Sequence, residues 1–429
     1  MKHARLALLA AFLLLLRGGG AHSEDFQGAT HQLDYDQPPI SYSKASPADP
    51  ITRLQEKILR REIKLHWDDT HGYLPALLEA LSIPVSSQLL VFSKTSLQRK
   101  LISAQTPRAL YFNDDVYIGY IPGSPVLEIS AADPTLGATF YHLDQEEVRR
   151  PRMERDANCL GCHGGTRSLG IPGHVLRSVA NDSIGEPDPA TETSNINHCT
   201  PVHERWAGWF VTGSHGSQNH RGNLINAATF ASVEAALNPF DNLQNLAAIA
   251  SSGISLQHAS FPATTSDIVA HLVLDHQVHM HNYIARLSFE ARIMEASYGH
   301  LRYLKPQTDA FLRYLLFAEE APLDAPVSGD PAFTEAFRRM SPRDSKGRSL
   351  RDFNLQTRLF KHPCSYLIYS DAFAKMHPPM KSVVMERLLA ILNNSDRDPQ
   401  FARLTTEDRS TLLEILRDTL PDLPESWRP

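Results

Sequence analysis

"RALYFNDDVYIGYIPGSPVLEIS" (Arg108–Ser130) contains three short runs rich in β-branched and aromatic residues, broken by Asn113-Asp114-Asp115 and by Pro122-Gly123. Those breakers are residue types that set turns. Turns this short join antiparallel neighbours, because a parallel pair needs a crossover of about a dozen residues or more. Working outward, "QLLVF" before the stretch and "ATFYHL" after it have the same character, so an antiparallel sheet is expected between about residues 88 and 143. Two further strands, "HVLRSV" and "GWFVT", are expected downstream.

The flanks change period. "ITRLQEKILRREIKL" from Ile51 to about Leu65 and "YLPALLEAL" read as helices, after an extended arm over residues 24–50. From about Ser266 the chain is helical again. "SDIVAHLVLDHQVHMHNYIARLSFEARIMEA" opens on a Ser-Asp cap, and "SYLIYSDAFAKM", "MKSVVMERLLAILNN" and "TEDRSTLLEILRDTL" follow a Pro-rich linker, "APLDAPVSGDP". The fold class expected is α+β, with a central antiparallel sheet and helical segments at both ends. Its divisions are a signal peptide at 1–23, an N-terminal arm and helices at 24–87, the sheet plus long helix at 88–320, and a C-terminal helical region at 321–429.

Lys2 and Arg5, an apolar run from Leu6 to Leu16 and then Ala21-His22-Ser23 read as a signal peptide, with an uncleaved anchor as the alternative. Export to the periplasm or outside the cell is the expectation, with no membrane span left after cleavage. Loss of Lys2, Arg5 and Arg17 leaves 39 basic against 48 acidic residues, net −9, which argues against a nucleic-acid partner.

The chain of 429 residues has only 4 Cys, and two of them stand in "NCLGCHGG", as Cys159 and Cys162 followed by His163. C-x-x-C-H supplies two thiols to add across the vinyl groups of one haem and an imidazole to bind its iron. The leading expectation is one covalent haem c, with His163 as proximal ligand. A zinc site using Cys159, Cys162 and Cys199 with His198 or His203, a thioredoxin-like redox pair and a plain disulfide are the other readings. "GGTRSLGIPGH" suits a loop passing close to the ring, and Arg149, Arg150, Arg152 and Arg155 are candidates to pair with propionates.

For the second side of the iron, His276 falls near the centre of the apolar stripe of the long helix, among Val269, Leu272, Val273, Met280, Tyr283, Ile284 and Leu287. His220 and His215, in "GSHGSQNHRGN", are the alternatives, and Met280, His281 or an open sixth position complete the set. Two strong axial ligands suit electron transfer with a redox partner protein or a small-molecule donor or acceptor. An open position suits a peroxidase- or oxidase-type haem enzyme, or a haem sensor. Pairing of Cys199 with Cys364 is left open.

The segments "IPVSSQLLVFSKTSLQ", "PRALYFNDDVYIGYIPG", "NCLGCHGG", "IPGHVLRSV", "ERWAGWFVTGSHG", "SDIVAHLVLDHQVHMHN" and "RLFKHPCSYLIYSDAF" resemble an exported bacterial family of single-haem cytochrome c domain proteins. The family brings no established activity. The resemblance implies covalent attachment at Cys159 and Cys162 and iron ligation by His163. Where that family has "GTHG", "HMGN" and "EHQ", this chain has "GSHG" (Ser214–Gly216), "HRGN" (His220–Asn223) and "DHQ" (Asp275–Gln277), changes that keep the histidines. The order strand, haem loop, strand is also similar in layout to PAS-like haem sensor domains.

Overall fold

The computed structural model describes residues 31–182, 184–188, 193–225 and 242–428. Residues 1–23, expected to be a signal peptide, therefore lie outside the described residues.

The quoted stretch forms the middle of the sheet. Strands β1 (Leu89–Val91), β2 (Arg108–Phe112), β3 (Val116–Tyr120), β4 (Val126–Asp133), β5 (Gly137–Asp144) and β6 (Met153–Arg155) follow one another as antiparallel neighbours. Of the two downstream strands, "HVLRSV" contributes β7 (Arg177–Ser178), which pairs with β8 (Ser194–Asn195) in a separate two-stranded ribbon. "GWFVT" contributes β9 (Trp209–Phe210), which closes the sheet beside β1 and makes the order β6-β5-β4-β3-β2-β1-β9. The α+β class follows directly.

Alternation along these strands separates two faces. One carries Tyr111, Ile118, Ile129 and Tyr141 in a single cross-strand row, all buried against the helices Pro50–Leu59 and Leu74–Ala80. The opposite face is uneven. Its Phe112, Tyr117 and Phe140 are buried, whereas Arg108, Leu110, Glu128, Ser130 and His142 are only half-buried. That incompletely covered patch is where the cysteine motif lies.

The long helix runs from Ile268 to Tyr298, capped by Asp267, whose carboxylate accepts from the amides of Val269 and Ala270. Every residue from Ile268 to Ile284 is buried. The apolar stripe around His276 is thus only one of several covered faces, because the sheet, the motif loop and the C-terminal helices enclose the helix together. Several of its buried polar residues have matched partners. Asp275 meets the Arg205 guanidinium at 2.9 Å and accepts from the Trp206 indole, and Gln277 donates to the Tyr117 hydroxyl.

One apolar core includes this helix, the helices Lys305–Leu315, Pro331–Arg339, Pro378–Leu392 and Thr406–Thr419, and Phe112 and Tyr117 of the sheet. It crosses the boundary expected at residue 320. The second core joins the N-terminal helices to the sheet across residue 87. The Pro-rich segment after Glu320 is a packed strap in which Ala321, Leu323, Ala325 and Val327 are buried in alternation, held by Leu323 N–H to Thr357 O and Val327 N–H to Leu355 O. Its prolines remove donors but leave an extended strand-like path, and its small apolar residues fill the groove beneath. Among the described residues, no helix is long and apolar enough to cross a membrane.

Candidate functional site

The motif is built from both sides by backbone bonds to fixed elements. Its entry is anchored by Asp156, whose amide donates to the Phe140 carbonyl of β5 and whose carboxylate accepts from Asn158 N–H to start the turn. Ala157–Cys159 is a 3-10 turn and Leu160–His163 one helical turn, so Cys159, Cys162 and His163 come from one short continuous coil. Cys162 is exposed, Cys159 and His163 are half-buried, and neither motif thiol is in a disulfide. Burial pushes the Cys159 thiol up to about 12, with Asp156 and Glu128 adding to the effect.

After the motif the chain folds back on itself. Gly173 N–H donates to the His163 carbonyl at 2.9 Å, and the His163 ring returns the contact, Nδ1–H donating to the Gly173 carbonyl at 3.1 Å. A carbonyl can only accept, so this bond fixes the tautomer with its proton on Nδ1 and leaves the Nε2 lone pair available. Burial lowers the His163 imidazole to about 4, opposed by the Gly173 bond, so the ring is neutral at physiological pH. Phe140 packs on this ring at 4.9 Å between centroids. A Cβ on Gly173 would lie 2.5 Å from Asn282 Oδ1 and 2.9 Å from Ser168 Cβ, so the close return requires glycine.

The next residue ties the loop to the long helix. Asn282 Oδ1 accepts from His174 N–H at 2.9 Å and its amide donates to the His174 carbonyl at 2.7 Å. The N-terminal arm seals the loop from outside, through Leu33 N–H to Gly170 O at 2.8 Å and Arg286, which donates to the carbonyls of both His31 and Leu169.

The sequence's candidate second ligands have partners of their own within the fold. His276 is fully buried, its Nε2 at 2.7 Å from Ser365 Oγ and its Nδ1 at 2.7 Å from Nδ1 of His198, stacked on Phe317 and Tyr314. His215 donates from Nδ1 to the Gln218 carbonyl and accepts at Nε2 from Asn242 N–H, so both its nitrogens are engaged. His220 accepts from Gly222 N–H and packs against Trp206 and His215. His281 donates to the Asp114 carbonyl. The only aromatic ring in contact with His163 among the described residues is Phe140.

Nor do the ligands of the zinc alternative assemble: no group of three or more His, Cys, Asp or Glu side chains suited to a metal ion occurs among the described residues. Of the four arginines upstream, Arg149, Arg150 and Arg152 are exposed. Arg155 instead donates to the carbonyls of Tyr42 and Ala45 and lies over the Tyr42 ring.

Sequence reasoning missed Gly173 as the group that orients His163, and no side-chain signal could reveal it, since the acting group is a backbone carbonyl. It also missed Asn282, which lies off the apolar stripe, and the polar patch of the sheet. No protein-family model, no curated protein and no solved structure matches the chain.

Proposed function

We propose that the chain is an exported monohaem c-type cytochrome, periplasmic or secreted, whose function is electron transfer with a redox partner protein or a small-molecule donor or acceptor. Cys159 and Cys162 would hold the porphyrin edge, and His163 Nε2 would be the proximal ligand. The observation that carries this reading is the His163 Nδ1–H bond to the Gly173 carbonyl, which presents a neutral, oriented imidazole beside two unbonded thiols. The half-open sheet face next to the motif offers apolar surface at Leu110 and polar groups at Arg108 and Glu128. Such a mixture suits a cofactor with one apolar body and a charged edge.

A haem held there supplies a one-electron iron couple. The chain's own contribution is to fix the ligand tautomer through Gly173, to restrict solvent on one side with Phe140, and to brace the loop through Asn282. A second reading, a haem enzyme or sensor with an open sixth position, is favoured by the engagement of both ring nitrogens of His276 and His215 within the fold.

The test is the absorption spectrum of protein produced with c-type maturation machinery. A Soret peak that stays with the chain in acidified organic solvent, and is lost in a Cys159→Ser/Cys162→Ser double variant, is the expected result. Pigment that extracts freely, or no pigment, overturns the reading. Carbon monoxide and cyanide then separate the two functions: an unchanged low-spin spectrum supports electron transfer, and rapid ligand binding supports the second reading.

A further inference from the structure

The β7 ribbon beside the half-open sheet face carries a cation that the fold itself leaves uncompensated. Trp209, Val91 and Arg108 form one cross-strand row over β9, β1 and β2. The Trp209 indole donates to the Arg177 carbonyl at 2.9 Å, which holds β7 over the end of that row. Arg177 also pairs in register with Asn195, whose amide donates to the Arg167 carbonyl at 3.2 Å, so the ribbon draws a third arginine to the same edge.

Glu128 is the acid on this patch, and it is committed. It meets the Arg108 guanidinium at 2.7 Å and accepts from Ser96. Arg108 still has a buried Nε with no acceptor. The half-buried Arg177 guanidinium makes no hydrogen bond and no ion pair with any described residue. The bond from its strand partner Asn195 to the Arg167 carbonyl, in the loop that follows His163, puts the ribbon beside the attachment coil. A guanidinium partly withdrawn from water without an anion is unfavourable, and a planar carboxylate is the ligand whose geometry it matches in two-pronged fashion.

We propose that Arg177, with the free Nε edge of Arg108, is a carboxylate-binding site for a propionate of the haem attached at Cys159 and Cys162. This rests on the haem reading above and adds to it which edge of the cofactor faces the β7 ribbon. With Glu128 neutralising one charge, the three arginines leave an excess of positive charge that complements the two propionates of a haem.

The holoprotein's midpoint potential tests the assignment. Removing a cation beside the cofactor favours the oxidised, more positive iron, so Arg177→Gln lowers the midpoint by about a tenfold change in the reduction equilibrium, about 59 mV for one electron. Arg177→Lys, which keeps charge without the two-pronged fit, stays above Arg177→Gln, and Arg167→Gln on the exposed end of the same loop moves the midpoint far less. An unchanged midpoint in Arg177→Gln, an equal shift in Arg167→Gln, or a lysine variant no better than the glutamine one overturns the proposal. A wild-type midpoint that varies with acetate at constant ionic strength would show the site to be open to free carboxylate, and overturns the propionate assignment.

If Arg177→Gln accumulates no pigment, the melting temperature of its apo form decides. A melt equal to that of wild-type apoprotein supports a role toward the cofactor, and a lost transition makes the arginine merely structural. Wild-type protein without covalent pigment sinks the haem reading itself, whereas pigmented protein with an unmoved midpoint sinks this inference alone.

Discussion

At the scale of single residues, Gly173 and Asn282 hold His163 and its loop in place. Gly173→Ala forces its new methyl into Asn282 Oδ1 or Ser168, so the loop must shift and with it the carbonyl that holds His163. The expected result is a reduced yield of covalently pigmented protein and a loss of stability of about 1 to 3 kcal/mol, read by absorbance per polypeptide and by thermal denaturation. Asn282→Ala leaves both buried backbone groups of His174 without partners, which costs on the order of 2 to 4 kcal/mol by chemical denaturation. At this scale the sequence singles out side chains, and the structure places Cys159, Cys162 and His163 on one short coil. The sequence is silent where a main-chain carbonyl or an absent Cβ does the positioning.

Among elements, the strands were the easiest to read, because the turns at Asn113-Asp114-Asp115 and Pro122-Gly123 bound them closely and their two faces alternate. The long helix was legible in extent but not in environment. A stripe of apolar residues identifies one buried face, whereas here Asp275, Gln277 and Asn282 on other faces are buried too, each matched by a partner distant in sequence. His276 was therefore singled out for a property it shares with most of its helix. The Asp275 and Arg205 pair illustrates the energetic consequence. Asp275→Ala leaves a guanidinium 2 % exposed without its anion, and a loss of about 3 to 5 kcal/mol is expected in denaturant titration. A double variant with Arg205→Met should recover part of that loss, since no buried charge then remains.

For the whole molecule, the concentration of imidazoles in the interior sets the response to acid. Burial lowers His271 to about 3 and His281 to about 4, while Asp267 and Asp275 are raised to about 6 by the same cause. The two groups act in opposite directions. A histidine neutral in the fold takes up a proton only on unfolding, so its contribution is complete above pH 6.5 and is lost as pH falls toward its folded value; the raised carboxyls gain stability over the lower part of that range. A comparison isolates one group: His281→Gln keeps a donor for the Asp114 carbonyl, and the variant's stability should fall less between pH 6.5 and 4, by up to about 1.4 kcal/mol per pH unit. Equal slopes for variant and wild type in a pH series of melts would show His281 to be protonated within the fold.

The seam beside the motif also sets a timetable. His31 and Arg286 stand 255 residues apart, and the same guanidinium reaches Leu169, so this latch cannot fasten until the first and the later parts of the chain have met. The consecutive strands β1 to β6 wait for no such encounter. The half-buried Cys159 thiol therefore has an interval, after the consecutive strands have paired and before the latch drops, in which it is open to solvent. A thiol-reactive probe added at successive moments of refolding should find Cys159 open until the last kinetic phase.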